Sequence, residues 1–151
     1  MGYRLYIGEF HVDIRHKDRT AVCGVTLIDG LELGAPLNSS EHHKNECWPP
    51  YTAWHDFARD VGLHSVFFAD GDRYPWFVGA SGHEHAGLLN HHPGAVALHP
   101  DHRYAFYEAR QKYNDRPEGH RNIWTVRRLD WLVWWTDWAM KNCDYPTFAN
   151  G

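Results

Sequence analysis

Histidine is the residue whose number and spacing in this sequence most suggest chemistry. The chain of 151 residues contains 13 histidines. Six of them lie close together in one glycine-containing part of the sequence: His83, His85, His91, His92, His99 and His102. Neutral imidazole is the commonest metal ligand and the usual general base near neutral pH. This clustering indicates a metal site or a histidine-based hydrolase site. The alternative, which we favour over a metal, is that these loop histidines are hydrogen-bonding surface or capping groups.

The motifs that usually accompany metal-binding histidines are absent from the sequence. There is no HExxH helix, and no cysteine pair stands at zinc-finger spacing from a histidine pair. His83 and His85 alternate as ligands on a strand do, but glycines bracket this stretch. We therefore predict ligand contacts, without a metal, a cofactor or a catalytic residue, at four positions: His83, His85, His91 and His92.

Two further kinds of catalytic site are disfavoured. Ser81 is flanked by glycines but lacks the strand-to-helix context of a GxSxG nucleophile. Paired carboxylates such as Asp70 and Asp72 can act as a general acid and base, but the turn that they predict already explains both carboxylates. Neither a GxGxxG motif nor a phosphate loop with its lysine is present. These absences argue against a serine hydrolase and a large nucleotide-binding fold.

Aromatic residues beside arginines predict a pocket for a flat anion. Aromatic faces stack on bases, and guanidinium groups bind phosphates through two hydrogen bonds. The residues that we expect to line this pocket, together with the four histidines above, are Trp48, Tyr51, Trp54, Arg73, Trp76, Arg103, Tyr107 and Arg110. The alternative is that Trp54 and Trp76 belong to the core and that the arginines form a solvated surface.

The charge balance points to a small ligand instead of a polymer. The formal net charge is -4, which argues against general nucleic-acid binding, because that affinity comes from neutralising phosphates. Arginine and lysine nevertheless outnumber the acids in residues 103–128. A basic region on an acidic protein suits a small, nucleotide-like anion.

These residues must be positioned by a scaffold whose clearest element is a helix over residues 121–143. At 3.6 residues per turn, four of its five tryptophans share one stripe: Trp124, Trp131, Trp135 and Trp138. Trp134 falls instead among charged residues, where an exposed indole suggests a partner surface. We therefore expect the helix to be wrapped by the rest of the protein and the chain to form a homo-oligomer through Trp134.

The other patterns predict a single α+β domain. Strands over residues 3–12 and 20–28 form an antiparallel hairpin, and residues 31–50 form a long connection that could act as a lid. A helix capped by Thr52 runs over residues 52–61 and ends at Gly62, and a second runs over 100–114. A small hairpin joins 65–69 to 76–78, 80–94 is a loop, and 144–151 folds back. The sheet packs on the tryptophan helix, with the two shorter helices alongside.

The sequence also gives an expected cellular location. No apolar run approaches the roughly 20 residues that span a bilayer, and the first residues lack a signal-peptide core. The three cysteines, Cys23, Cys47 and Cys143, are widely spaced and odd in number, which is typical of free thiols in a reducing compartment. We expect a soluble cytoplasmic protein with no membrane partner.

Three stretches together resemble small proteins encoded by phages and prophages. They are residues 51–63, the tripeptide His92-Pro93-Gly94 with the helix after it, and residues 131–143 with the tail 145–150. The resemblance implies no particular activity and no catalytic residue. Some small accessory phage proteins counter host defence, and one class of them sequesters cyclic or ADP-ribose-derived nucleotide signals. The resemblance therefore suggests such a role in the host cytoplasm.

Three functions remain open from the sequence. The first is a non-enzymatic protein that encloses a small anionic, nucleotide-like ligand, such as a host immune signal. The second is a histidine-dependent hydrolase or phosphodiesterase that uses His83, His85, His91 and His92, with or without a metal. The third is an inhibitor that binds a host protein through its aromatic surface.

Overall fold

The computed structural model describes residues 1–15, 20–26, 46–69 and 76–151, with backbone alone for 11–15, 20–26 and 46. The strands are β1 Leu5–Arg15, β2 Thr20–Thr26, β3 Glu46–Cys47, β4 Trp76–Val78, β5 Glu84–Ala86, β6 Gly94–Ala97 and β7 Pro146–Asn150. The helices are α1 Tyr51–Asp60, α2 His64–Phe67, α3 Pro100–Asn114 and α4 Ile123–Asn142, with a 3-10 turn at Glu118–His120.

The main sheet is antiparallel and has the tail of the chain at its centre. Its strands lie in the order β2-β1-β7-β6, and β3 pairs with β1. β7 pairs with β1 on one side, Ile7 opposite Phe148, and with β6 on the other, Val96 opposite Phe148. Phe148 is fully buried and packs against Phe67 of α2. The predicted α+β class, the N-terminal hairpin and the folded-back tail are confirmed.

Helix α4 packs against this sheet through β1 and β7. The side-chain oxygen of Asn122 accepts the backbone N–H of Trp124 at 2.8 Å and so caps the helix. Trp131, Trp135 and Trp138 are buried as predicted. Trp124 is not: it lies in the first turn, is 60% exposed, and has the Arg127 guanidinium over its ring.

The expected exposure of Trp134 among charged residues is not observed. Its ring is partly buried, packs on the core and meets the ring of Trp135 edge-on at 4.6 Å. The reason is that α3 lies along α4 and joins it by ion pairs, so α4 is covered on the face that carries charges. The expected homo-oligomer through Trp134 stays a prediction.

Helix α1 begins and ends one residue earlier than predicted, and Gly62 closes it as predicted. Pro50, not Thr52, is the residue before its first turn, and no side chain caps it. At the other end Gly62 has φ +76°, and the N–H of Leu63 donates to the carbonyl of Ala58 at 2.8 Å. This left-handed cap turns the chain so that Leu63 is buried.

The segment between α1 and α3 differs from the prediction. Residues 64–67 form α2, so no hairpin joins 65–69 to 76–78; β4 pairs with β5 instead. The region 80–94 is therefore not all loop, since it contains β5. Strands of three residues are too short to show an alternation of apolar and polar residues in the sequence. Helix α2 depends on tertiary contacts, since the N–H groups of Leu88 and Leu89 donate to the carbonyls of Val66 and Phe67.

Two other expectations concern the long connection over residues 31–50 and the absence of a membrane span. Most of the 31–50 connection, which we considered as a lid, lies outside the described residues. None of the described helices is long and apolar enough to cross a bilayer.

Gly62→Ala is expected to destabilise the protein by about 1–2 kcal/mol, because an L side chain is strained in the left-handed region. No atom lies within 4 Å of the added Cβ, so the effect is purely conformational. Gly119→Ala is the matched control, since its Cβ also meets nothing and its φ is not positive. Urea unfolding of the two variants tests this; equal midpoints would contradict the left-handed cap.

His55 is expected to titrate below its ordinary pKa of 6.5. Its ring stacks on Phe68 at 3.7 Å, and burial, then the charge of Arg59, then that of His64, lowers its pKa. The neutral ring is favoured in the folded state, so its contribution to stability is lost as pH falls below 6.5. NMR titration of the imidazole should show a midpoint that rises in Arg59→Gln; a midpoint above 6.5 would contradict it.

Candidate functional site

The carboxylate of Asp101, in the first turn of α3, is the centre of the candidate site. It is 5% exposed and accepts three hydrogen bonds. The backbone N–H of Ser81 donates to Oδ1 at 3.0 Å, the Ser81 hydroxyl to Oδ2 at 2.5 Å, and Nε2 of His85 lies 2.7 Å from Oδ2. The Ser81 hydroxyl and then His85 hold the pKa of Asp101 well below its ordinary value. Asp101 is therefore a buried anion at neutral pH.

Two histidines cap the N-terminus of α3 on either side of this carboxylate. Nδ1 of His99 accepts the backbone N–H of Asp101 at 3.1 Å, and Nδ1 of His102 accepts the backbone N–H of His99 at 2.9 Å. The pair forms a reciprocal capping box in which imidazoles replace the usual hydroxyl and carboxylate. Both rings are thereby fixed beside Asp101.

Three side chains from two elements converge at this point. Possible ligand atoms of His85 on β5 and of His99 and Asp101 at the start of α3 all lie within 4.8 Å of one another. We call these three residues the imidazole–carboxylate centre. The ring of His85 is 4.4 Å from that of His99 and 5.2 Å from that of His102, and His83 is 6.2 Å from His99.

His102 is fully buried behind the centre. Burial, then the positive charge that His85 and His99 can carry, lowers its pKa to about 4, so the ring is neutral at pH 7. Since Nδ1 is an acceptor, the proton of the neutral ring is on Nε2, which has no hydrogen-bond partner among the described residues. One face of His102 stacks on Phe77 at 5.7 Å.

The turn between β4 and β5 positions Ser81. The N–H of Gly79 donates to the carbonyl of His83 and that of Gly82 to the carbonyl of Gly79, both at 2.9 Å, and Gly82 has φ +80°. A Cβ at Gly79 would overlap the side chain of Asp101. Glycine at this position is what allows the turn to approach the carboxylate.

A groove of about 500 Å³ lies beside the centre, between α1, α2, the turn after β4 and α3. We call it the α3 groove. Its wall includes Leu63, Val66, Phe77, Gly79, Ala80, Ala105 and Ala109, and its rim includes Tyr104, Glu108, Lys112, Arg116 and Asp60. Phe77 joins the two regions, because its ring lines the groove and stacks on His102.

Comparison with known proteins gives no match. No protein family model, no curated protein and no solved structure corresponds to this chain. The site is therefore interpreted from its own geometry.

The four predicted histidines divide into two groups. His85 belongs to the centre, and His83 lies beside it, with its ring 6.2 Å from that of His99. His92 instead contacts the hydroxyl of Tyr51 at 3.0 Å through Nε2 and the side-chain oxygen of Asn150 at 2.5 Å through Nδ1, and the carbonyl of His91 accepts from Asn150. These bonds tie the start of α1 to the end of β7, which is a structural role.

The predicted aromatic residues are also divided. Trp54 was wrongly assigned to the pocket: it is fully buried and packs against Phe57 and Phe67 at 4.7 and 5.2 Å, so no ligand can stack on it. Trp48 and Trp76 are 68% and 46% exposed. The Arg4 guanidinium lies over the Trp48 ring at 5.5 Å.

The two predicted phosphate-binding arginines that lie in the described part of the chain form ion pairs with helix α4. Arg103 pairs with Asp137 and Arg110 with Asp130, the latter at 3.7 Å, so both connect α3 to α4. Their guanidinium groups lie 5.4 and 5.3 Å from the ring of Tyr107. Neither residue lines the α3 groove. Arg73 lies outside the described residues.

Two residues of the centre, His99 and Asp101, were absent from the predicted site, and so was Ser81, which bonds to Asp101. Ser81 was considered only as a nucleophile, whereas it supports a carboxylate 20 positions away. The available signal was the sequence His99-Pro100-Asp101-His102, in which histidines occupy the positions that cap a helix beginning at proline.

Gly79→Ala is expected to push the Asp101 carboxylate away from Ser81 and to destabilise the protein by about 1–3 kcal/mol, the usual effect of overpacking. Gly119→Ala, the same change in open space, should shift the unfolding midpoint much less. Thermal or urea unfolding provides the measurement. Equal stability of the two variants would show that the turn does not contact Asp101 as described.

Proposed function

We propose that the chain is a hydrolase of a small phosphate-containing molecule, with water activated at the imidazole–carboxylate centre. One observation carries the proposal: His85 and His99 converge on the same oxygen of a buried, ionised Asp101, at 2.7 and 3.3 Å. Ionisable groups with shifted pKa values that gather beside a groove are typical of catalytic sites. The convergence favours the histidine-dependent reading of the sequence over the arginine clamp.

Hydrolysis of a phosphate ester at this centre requires activation of a water molecule. The water oxygen forms a bond to phosphorus, the ester P–O bond breaks, and the departing oxygen takes up a proton. The proton lost by the water can pass to an imidazole that a carboxylate supports, or a bound cation can lower the pKa of the water. For the first route, His85 is an imidazole that Asp101 supports. For the second, the three residues of the centre are the groups that would bind a cation.

The α3 groove supports a small, flat and anionic substrate. Its volume of about 500 Å³ falls in the range of small-molecule sites, roughly 300–1,000 Å³. Tyr104, 56% exposed at the rim, offers an aromatic face. Lys112 and Arg116 are paired with Glu108 and Asp60, but such exposed pairs contribute only about 0–1 kcal/mol, so a phosphate can compete for either cation.

A binding protein without turnover is the second candidate, and the size of the same groove favours it. The groove can hold a nucleotide-sized anion whether or not the centre reacts with it. In that case the chain would sequester a signalling nucleotide, as the resemblance to phage proteins suggests. The two candidates differ in the state of the ligand after incubation, which is intact in one and cleaved in the other.

Purified protein is expected to release p-nitrophenol from p-nitrophenyl phosphate mono- or diesters, or to cleave members of a nucleotide panel that includes cyclic dinucleotides. His85→Asn and Asp101→Asn should each lower kcat/KM by about 100-fold or more, the usual effect of removing a positioned acid–base group. His120→Asn, at an exposed histidine outside the site, is the control. A panel recovered intact, with one member that raises the melting temperature, would favour the binding protein instead.

A further inference from the structure

The contact between His99 and Asp101 contains two acceptors that face each other. The backbone N–H of Asp101 is a fixed donor, and it donates to Nδ1 of His99 at 3.1 Å, so this nitrogen carries no proton. Oδ2 of Asp101 is ionised and lies 3.3 Å from the same nitrogen. No hydrogen is available to bridge a lone pair of nitrogen and a carboxylate oxygen. A cation bound by both groups would turn this unfavourable contact into an attractive one, and it would take the lone pair that Nδ1 now offers to the backbone N–H of Asp101.

The third ligand atom completes an arrangement that suits a metal ion. Nε2 of His85 lies 2.7 Å from the same Oδ2 atom. Ligand atoms bonded to one ion at about 2.0–2.2 Å are themselves roughly 3 Å apart. Oδ2 is already near that distance from a nitrogen of each histidine, and possible ligand atoms of all three residues lie within 4.8 Å of one another. His85 needs only a tautomer change, with its proton moved to Nδ1, to present a lone pair instead of a hydrogen.

We propose that His85, His99 and Asp101 bind a divalent first-row transition-metal ion, of which Zn²⁺ is the natural probe. Two imidazoles and one carboxylate suit zinc and its neighbours better than magnesium or calcium, which prefer oxygen ligands. Three protein ligands also leave at least one position for water, as in catalytic zinc sites. The catalytic use of this ion rests on the proposed hydrolase function, whereas binding of the ion does not depend on that function.

The residues around the three ligands support this assignment. The Ser81 hydroxyl and N–H both donate to Asp101 and so orient the carboxylate, as hydrogen-bond donors to a metal-binding carboxylate usually do. His102 is fully buried behind the centre and is not one of the three residues whose ligand atoms converge, so it is a neighbour of the site instead of a ligand. His83, exposed and 6.2 Å from the His99 ring, lies at the open side of the centre.

Metal binding is tested by titrating Zn²⁺ into chelator-treated, dialysed protein and measuring heat and stoichiometry. We expect one ion per chain and a loss of affinity of at least 10-fold in His85→Asn and in His99→Asn. Asparagine is also a good helix N-cap, so His99→Asn keeps the start of α3 folded while removing the imidazole. His120→Asn is the control and should bind as the unaltered protein does. Circular dichroism confirms that each variant is folded.

Two further measurements make the result specific to these ligands. With Co²⁺ as the probe, visible absorption bands should appear in the unaltered protein and be lost or altered in His85→Asn. Ser81→Ala should weaken Zn²⁺ binding by about 10- to 100-fold without abolishing it, because it acts through Asp101. Absence of Zn²⁺ binding, or binding that is unchanged in both histidine variants, would overturn the metal site.

The outcomes separate the metal site from the proposed function. Zn²⁺ bound through the three residues, with every phosphate ester left intact, would support the metal site and contradict the hydrolase. Hydrolysis that persists after chelation and is lost in His85→Asn, in a protein that binds no Zn²⁺, would support the hydrolase and contradict the metal site.

Discussion

The buried charge of Asp101 is the constraint to which the surrounding elements conform. A carboxylate removed from water is very unfavourable unless hydrogen-bond donors or a cation compensate it. Here the compensation comes from the turn after β4, from β5 and from the positive end of α3, so one charge fixes three elements at one point. Gly79 and the histidine caps keep this carboxylate in place in two ways. A side chain at position 79 would overlap Asp101, and the caps accept the backbone N–H groups at the start of α3, where Asp101 lies.

The sheet and helix α4 keep the start of α3, and with it Asp101, in position. Strand β7 joins β1 to β6 and brings the start of α3 against the sheet, since the N–H of Leu98 donates to the carbonyl of Pro146 at 2.9 Å. Helix α3 is then fastened to α4 by Arg103 and Arg110. The arginines that resemble a phosphate clamp in the sequence are therefore used for packing two helices.

Elements whose signals are local could be predicted, and contacts between distant segments could not. The helices α3 and α4 carry their own apolar stripes and end signals, and Gly62 closes α1 as its type predicts. Strand β5 is too short to show a period, and its partner is decided by tertiary packing. The histidine cluster was recognisable, but the sequence does not say which of its rings meet one carboxylate. Trp54 is a second example: the sequence shows that a tryptophan is present but not that its side chain is buried in the core.

The position of β7 has a consequence for incomplete chains. Its two neighbours, β1 and β6, are not bonded to each other, so a chain cut before Pro146 would leave both with unsatisfied backbone groups along one edge. Unpaired edges of this kind recruit strands from other molecules. It would also expose the apolar surface that Phe148 covers. Products of premature termination or of proteolysis near the tail should therefore aggregate and be degraded instead of persisting as shortened, partly active forms.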